Sequence, residues 1–280
     1  MITKLQYLFR RILLHIFSLV QQKNIPPSKE AIDIIIPVVE KDLTILPLCL
    51  EGVRRNVNNR VQDIYIVAPR NCRIESFCKE NGCCYIDEES VLRFAPRSLN
   101  LIINDGMNRS GWLFQQLLKM SGNIGSCNNF LCIDADHVLI QPHTFLAFDS
   151  SPVFYMSSEM HIPYYEMIKR ISSIHNFSLL SYVSHKMLFN KEQLRLLHSD
   201  IEKNTGKIWY QGIYDNYDRQ ERSGFSEFEL YGSFVKNKHY RPWKQCLLNY
   251  EDICNFDDLV SRFGSHYNSL TFPEYINNTK

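Results

Sequence analysis

The sequence predicts an α/β fold in which helices flank a mostly parallel β-sheet. Residues 31–39, 63–69 and 130–133 form short apolar runs rich in β-branched side chains. Such runs are typical of strands that are buried on both faces. Segments with helical spacing of apolar residues separate them, and this alternation of strands and helices indicates a parallel sheet covered on both sides.

The remaining elements follow from the same periodicities. Helices are predicted at residues 42–57, 73–81 and 110–120, and a weaker strand at residues 83–86. After about residue 150 the pattern loosens and tyrosines occur throughout. We expect this half to be the acceptor-side part of the same domain and not an independent one. No internal repeat or low-complexity tract is visible.

Composition limits the classes of function. The 280 residues are 45% hydrophobic and 22% charged, which suits one sizeable α/β core or two small domains. The formal net charge is only +1. The charge therefore gives no support to a general role in nucleic-acid binding, and we expect no nucleic-acid partner.

The cysteines indicate the compartment. There are nine, an odd number with no regular spacing, and no Cys-x-x-Cys pair occurs. A disulfide framework and a structural zinc site are therefore not expected. Reduced thiols in a cytoplasmic protein are the simplest interpretation.

Residues 1–23 form a cationic apolar segment that precedes the domain. Its basic residues are Lys4, Arg10, Arg11 and Lys23, and it has no acidic residue. The longest apolar stretch, residues 12–20, is interrupted and shorter than the roughly 20 residues that cross a bilayer. Two alternatives stay open: an amphipathic helix on an anionic membrane surface, peripheral on the inner membrane, or a helix that packs on its own domain.

Two aspartates separated by one residue follow a predicted strand. Asp134 and Asp136 lie just beyond the apolar run 130–133, and a second apolar run, 138–140, comes after them. Ligands of open parallel sheets bind beyond the carboxyl ends of the strands. Carboxylate oxygens suit Mg²⁺ or Mn²⁺, which also bind substrate phosphates. A solvated turn is the alternative, but the flanking strands favour a metal site.

Several motifs together resemble bacterial GT-A glycosyltransferases. The motifs, in order, are Ile-Ile-Ile-Pro-Val (34–38), Ile-Tyr-Ile-Val-Ala-Pro (64–69), Gly-Trp-Leu-Phe-Gln-Gln-Leu-Leu-Lys (111–119), Leu-Cys-Ile-Asp-Ala-Asp (131–136), Tyr-Val-Ser-His-Lys-Met-Leu-Phe (182–189) and Phe-Ser-Glu-Phe-Glu-Leu-Tyr-Gly (225–232). The last is similar to the Ser-Glu-Tyr-Glu-like segment of a poorly characterised family. The resemblance covers about residues 31–270.

This resemblance implies a GT-A-like, Rossmann-like fold and a donor site. Residues 1–27 would be a basic N-terminal helix and residues 28–280 the domain, with 31–145 binding the nucleotide sugar and 146–280 facing the acceptor. Pro37 and Val38 would lie along the nucleotide. The resemblance places Mn²⁺ or Mg²⁺ and the diphosphate at Asp134, Ala135 and Asp136, with His266 completing the metal site by its order along the chain.

Glu227 and Glu229 are the candidate catalytic residues. The resemblance implies that this acidic segment supplies the base of an inverting enzyme. A carboxylate within hydrogen-bond reach can take the proton of an attacking hydroxyl. The two side chains would share one face of an extended segment but diverge on a helix. We expect Glu227 to be the base and Glu229 to be second.

Three residues in or just before the predicted helix 110–120 are weaker candidates for donor binding. Trp112 and Gln115 are one helical turn apart, and Arg109 precedes them. Arg109 is of the right charge to meet a diphosphate. A core position for Trp112 and a solvated surface position for Arg109 are the alternatives.

The predicted function is metal-dependent transfer of a sugar from a nucleotide-sugar donor to a glycan or lipid-linked acceptor, in bacterial surface polysaccharide synthesis. A sugar nucleotidyltransferase would normally carry a glycine-rich loop after the first strand, and residues 37–42 contain no glycine. A glycoside hydrolase would need neither nucleotide nor metal. A catalytically degenerate GT-A scaffold that acts as a binding protein is the non-enzymatic alternative.

Overall fold

The computed structural model describes residues 2–21, 24–236 and 239–273, and it confirms the α/β class. The strands are β1 (Ile32–Pro37), β2 (Val61–Ala68), β3 (Cys84–Asp87), β4 (Asn129–Ile133), β5 (His137–Leu139), β6 (Val153–Met156), β7 (Lys186–Asn190), β8 (Arg241–Lys244), β9 (Leu247–Asn249) and β10 (Ser269–Thr271). The helices are α1 (Ile2–Val20), α2 (Leu46–Asn56), α3 (Cys72–Glu80), α4 (Glu88–Leu92), α5 (Ser110–Met120), α6 (Ile162–Ile171), α7 (Lys191–Thr205), α8 (Trp209–Asp215), α9 (Glu227–Val235) and α10 (Phe256–Phe263).

The central sheet has five strands in the order β3-β2-β1-β4-β7. The first four are parallel, and β7 joins the edge antiparallel to β4. The register pairs Ile35 with Cys132 and Ile133 with Lys186. As a result the carboxyl end of β4 meets the amino end of β7, so a residue that follows β4 lies beside a residue that precedes β7.

The core lies on both faces of this sheet. Every residue of β1 is buried, and its side chains alternate between the two faces. Ile35 packs with α5, α6, α7 and α9 on one side, whereas Ile34 and Ile36 pack with α2 and α3 on the other. The continuous apolar run of β1 is therefore explained by burial on both faces.

Two small sheets complete the molecule. One has the order β5-β10-β9, with β10 antiparallel to β5, and the other pairs β6 with β8. The pairing of β10 with β5 brings the end of the described chain back to the segment that follows the two aspartates. No described helix is both long enough and apolar enough to cross a membrane.

The predicted helix over residues 42–57 differs from the structure. A 3₁₀ turn at Glu40–Thr44 comes first, and α2 then begins at Leu46. Pro47 lies in the first turn of α2, where its missing N–H and fixed φ are tolerated. The proline therefore starts a new helix at this position, and the segment divides into two.

Candidate active site

The candidate site lies at the carboxyl ends of β1 and β4, as expected for an open parallel sheet. Asp134 follows β4 directly, and Pro37 ends β1 two residues beyond the pair Ile35–Cys132. The Val38 N–H donates to the carbonyl of Val67, and the Val38 side chain is buried. The predicted neighbours Pro37 and Val38 thus lie on the strand adjacent to the aspartates.

Asp134 is held on three sides. Its Oδ1 accepts from Lys119 Nζ at 2.6 Å, and its Oδ2 lies 3.1 Å from His185 Nδ1. Its backbone N–H donates to the carbonyl of His185 at 3.0 Å. Burial opposes ionisation of this carboxyl, but the charge of Lys119 and the contact with His185 outweigh burial and hold the pKa of Asp134 below its ordinary value.

Lys119 connects this carboxylate to a second one. Its Nζ also donates to Glu227 Oε1 at 2.7 Å, and only 5% of the lysine side chain is exposed. Burial lowers the pKa of Lys119, but the two carboxylates raise it more, so its pKa lies above the ordinary value. The ammonium group therefore stays charged in the interior, because it has an acidic partner on each side.

Asp136 is different, because its carboxylate has no hydrogen bond or ion pair within the part of the chain that the structure describes. The side chain is half-buried. Burial and then the charge of Asp134 raise the pKa of Asp136 to about 6. A cation beside it would relieve both effects, so Asp136 fits the role of a ligand for a divalent metal that keeps several waters.

His185 lies between Asp134 and the open side of the cluster. Its side chain is 35% exposed, and its ring stacks on that of His137 with centroids 5.6 Å apart. Its φ of 59° is in the left-handed region, which is unusual for a residue other than glycine. Such strain persists where the surroundings fix it, often at functional sites. Here the position just before β7 and the contacts with Asp134 fix it.

Glu227 and Glu229 lie at the start of α9. Because this segment is helical and not extended, the two side chains diverge. Ser226 caps the helix by accepting from the Glu229 N–H. Glu227 is 2% exposed and contacts Lys119, and Gln116 donates to Glu227 Oε1 at 3.1 Å when its amide NH₂ faces the carboxylate. Burial raises the pKa of Glu227, although Lys119 opposes the rise.

Glu229 is fully buried on the other side of α9. Its Oε2 accepts from Ser181 Oγ at 2.7 Å and from the Tyr182 N–H at 2.9 Å, while Oε1 has no hydrogen-bond partner among the described residues. Neither glutamate therefore faces an opening that an acceptor hydroxyl could enter. The burial of both carboxylates gives no geometric support to the predicted base, which stays a prediction.

The predicted metal ligand His266 is not near the aspartates. It precedes β10, whose antiparallel pairing places Thr271 opposite His137 and Ser269 opposite Leu139. His266 therefore lies beyond the far end of β5, where its Nδ1 is 2.6 Å from Ser265 Oγ. Among the described residues, no three His, Cys, Asp or Glu side chains form a group that could hold a metal ion.

Arg109 and Trp112 form a separate pair at the other end of α5. The Arg109 guanidinium lies 4.3 Å from the centroid of the Trp112 ring, and the Trp112 ring contacts that of Tyr217 edge-on at 6.2 Å. Ten residues separate Arg109 from Lys119, which is about 15 Å along a helix axis. The structure therefore does not bring these two predicted donor-binding residues into the Asp134 cluster.

Of the other two predicted donor-binding residues, Ala135 is buried between the aspartates and Gln115 is half-buried on α5. The sequence analysis missed Lys119, although it lies within one of the quoted motifs. The only signal was a charged residue on the buried side of an apolar helix, between Leu118 and Met120.

Comparisons with known proteins place the chain in a family. Residues 29–253, more than half of the chain, match a family described as a family of unknown function (DUF6492), and the chain belongs to that family. No curated protein matches. Among solved structures the chain is similar to the apo form of mouse xyloside xylosyltransferase 1, at 12% identity and a TM-score of 0.49. That match covers 86% of this chain and 97% of the mouse chain.

Replacing Lys119 should destabilise the protein strongly. Lys119→Met leaves Glu227 buried without its cation, and Asp134 with His185 alone. Removing one member of a buried ion pair typically costs about 3–5 kcal/mol. We expect a loss of that size in the free energy of unfolding measured by urea denaturation, and a smaller loss for Lys119→Met combined with Glu227→Gln.

The matched control is Lys207→Met, because Lys207 pairs with Asp215 where its side chain is 53% exposed. Exposed pairs contribute about 1 kcal/mol or less. Equal losses for the Lys119 and Lys207 variants would show that the buried ion pair does not organise the site.

Glu229→Gln should stabilise the protein at high pH. Burial raises the pKa of Glu229 to about 7 from its ordinary 4.5. As pH rises through this window, the unfolded chain releases the proton first, so the native state loses stability, and above it the loss is complete. The pKa difference between about 7 and 4.5 corresponds to a loss of roughly 3 kcal/mol at most in the free energy of unfolding.

The measurement is urea denaturation of the wild type and the variant at about pH 5 and about pH 8. The advantage of Glu229→Gln should grow with pH. The control is Glu192→Gln on α7, which removes an exposed carboxylate, so growth of the effect with pH in the Glu229 variant can be assigned to burial. A constant difference for Glu229→Gln would mean that this carboxyl titrates normally.

Proposed function

We propose that this member of the family of unknown function DUF6492 transfers a sugar from a nucleotide-sugar donor to a hydroxyl of a glycan or glycolipid. One observation carries the proposal: Asp136, without a protein partner in the described chain, lies beside a fixed Asp134 at the carboxyl end of a parallel strand. This is where open α/β sheets bind nucleotides. A divalent cation would compensate the negative charge of Asp136 and would bind the donor diphosphate at the same time.

The proposed cation is Mn²⁺ or Mg²⁺, with Asp136 as its main protein ligand and Asp134 adjacent. These cations, Mg²⁺ above all, commonly use one or two carboxylates together with substrate phosphates and waters, so a larger protein ligand set is not needed. When bound, the cation would neutralise the charge that builds on the departing diphosphate. His266 is left out of this ligand set because the pairing of β10 with β5 places it at the far end of β5.

The proposed reaction is inverting, and the structure favours His185 over Glu227 as the group that receives the acceptor proton. When Nδ1–H of His185 donates to Asp134, Nε2 keeps a lone pair that can accept a proton. The ring is partly exposed, whereas Glu227 is buried against Lys119. In this arrangement Lys119 holds Asp134, and Asp134 in turn orients His185.

The proposed location is cytoplasmic. All nine cysteines are free thiols in the structure, and several, including Cys49, Cys78 and Cys132, are buried. Free thiols suit a reducing compartment. A role in bacterial surface polysaccharide synthesis agrees with this location, since nucleotide sugars are the proposed donors, and it stays part of the proposal.

Asp136→Asn should abolish metal-dependent nucleotide binding without unfolding the protein. The variant removes the charge that would hold the cation but keeps the shape of the side chain. Isothermal titration with UDP and GDP in the presence of Mn²⁺ or Mg²⁺ should show binding by the wild type, and chelator should abolish it. The control Asp63→Asn, near the amino end of β2 and away from the site, should bind as the wild type does. Nucleotide affinity that is the same in Asp136→Asn, or in chelator, would contradict the metal site. Absence of any nucleotide binding by the wild type would favour a scaffold without catalysis.

His185→Asn should lower turnover by about 10² to 10⁴ and leave donor affinity unchanged. Asparagine tolerates the left-handed backbone of this position but offers no base. The comparison is Glu227→Gln, the variant at the base predicted from the sequence. A large loss of turnover in Glu227→Gln alone would return the base to Glu227. NMR of the product should show an inverted anomer, and a retained anomer would contradict single displacement.

A further inference from the structure

The outer face of α1 is apolar and uncovered. Its side chains are Leu5, Leu8, Phe9, Ile12, Ile16, Leu19 and Val20, each between 51% and 77% exposed. At 3.6 residues per turn they lie within an arc of about 120°, and they extend over about 22 Å of helix. Isolated exposed apolar residues are common, but a continuous surface of this kind marks an interaction site.

The opposite face of α1 is attached to the domain. Leu14 is buried, and Leu13 and Phe17 pack beside it against the core. Arg10 Nη1 donates to the carbonyl of Glu159 at 2.8 Å and to the Tyr165 hydroxyl at 3.1 Å. The two alternatives for this segment are therefore compatible, since one face packs on the domain while the other stays free.

The formal charge of this segment is positive. Of its basic residues, Arg11 is exposed, and its position on the helix is about 60° from one border of the apolar arc. The first acidic residue of the chain is Glu30, so residues 1–29 carry no negative side chain. Anionic lipid headgroups beside an apolar bilayer interior match this arrangement, because the side chains of such helices enter the interface by about 5–10 Å.

A second copy of the chain matches it less well. A symmetric contact between two α1 helices would bring the same surface of each copy together. Two copies of the basic segment would then approach each other with no acidic side chain of this segment to compensate them, and like charges oppose association.

We propose that the outer face of α1 docks on an anionic membrane surface. Because the inner face of α1 is fixed to the domain, docking also sets the orientation of the domain on the membrane. Arg10 donates to the backbone carbonyl of Glu159 and to the Tyr165 hydroxyl, and these two bonds tie the helix to the domain. A consequence, which rests on the proposed function, is that the acceptor is carried by the membrane.

The test uses the full chain and vesicles of phosphatidylcholine, alone or mixed with phosphatidylglycerol. We expect the wild type to sediment with the mixed vesicles and much less with the neutral ones, and added salt should release it. Ile12→Glu with Ile16→Glu should weaken binding at least about tenfold, since each side chain loses its burial in the bilayer. The control Leu196→Glu with Ile253→Glu changes two exposed apolar residues elsewhere and should bind as the wild type does.

Circular dichroism should show the same helix content and Tm for both double variants and the wild type, because all four side chains are exposed. Equal sedimentation of the α1 variant, or none of the wild type with the mixed vesicles, would overturn the proposal. A dimer of the wild type in light scattering that the α1 variant loses would instead assign the face to a second copy. The assay needs neither donor nor acceptor, so its failure would leave the proposed reaction untouched.

Discussion

The buried ammonium group of Lys119 is the interaction on which the site depends. It joins three parts of the chain, because Lys119 lies in the last turn of α5, Asp134 follows β4 and Glu227 begins α9. An ammonium ion in this position is costly unless both carboxylates stay within hydrogen-bond distance. The ion pairs therefore fix the start of α9 against the central sheet, and they fix the carboxylate of Asp134 in one orientation.

The contacts of Lys119 explain why two aspartates one residue apart have different environments. Lys119 and His185 stabilise the negative charge of Asp134, whereas burial and the charge of Asp134 disfavour the negative charge of Asp136. A ligand cation would meet one rigid carboxylate and one available carboxylate. A rigid Asp134 would limit where Asp136 can hold the ion, and this would suit the diphosphate site proposed above.

The sequence predicted the elements better than the contacts between them. β1, β2, β4 and α5 lie within two residues of their predicted bounds, because long apolar runs and helical spacing report burial directly. Of the site, the sequence predicted only the two aspartates that follow β4. Lys119 and His185 reach Asp134 through packing of α5 and through the antiparallel register of β7, and no local pattern encodes either. His266 was placed by chain order alone, and the register of β10 puts it elsewhere.

A second buried lysine shows what sets the charge of the site. Lys186 donates to Gln245 Oε1 and Ser269 Oγ, and its Nζ lies 3.1 Å from His137 Nε2, but it has no carboxylate partner among the described residues. Burial lowers its pKa to about 7. Burial also lowers the pKa of His137, on which His185 stacks. Lys119 differs from Lys186 because it has a carboxylate on each side, and these raise its pKa. The ammonium group of Lys119 is shared by Asp134 and Glu227, so it makes no ion pair with Asp136.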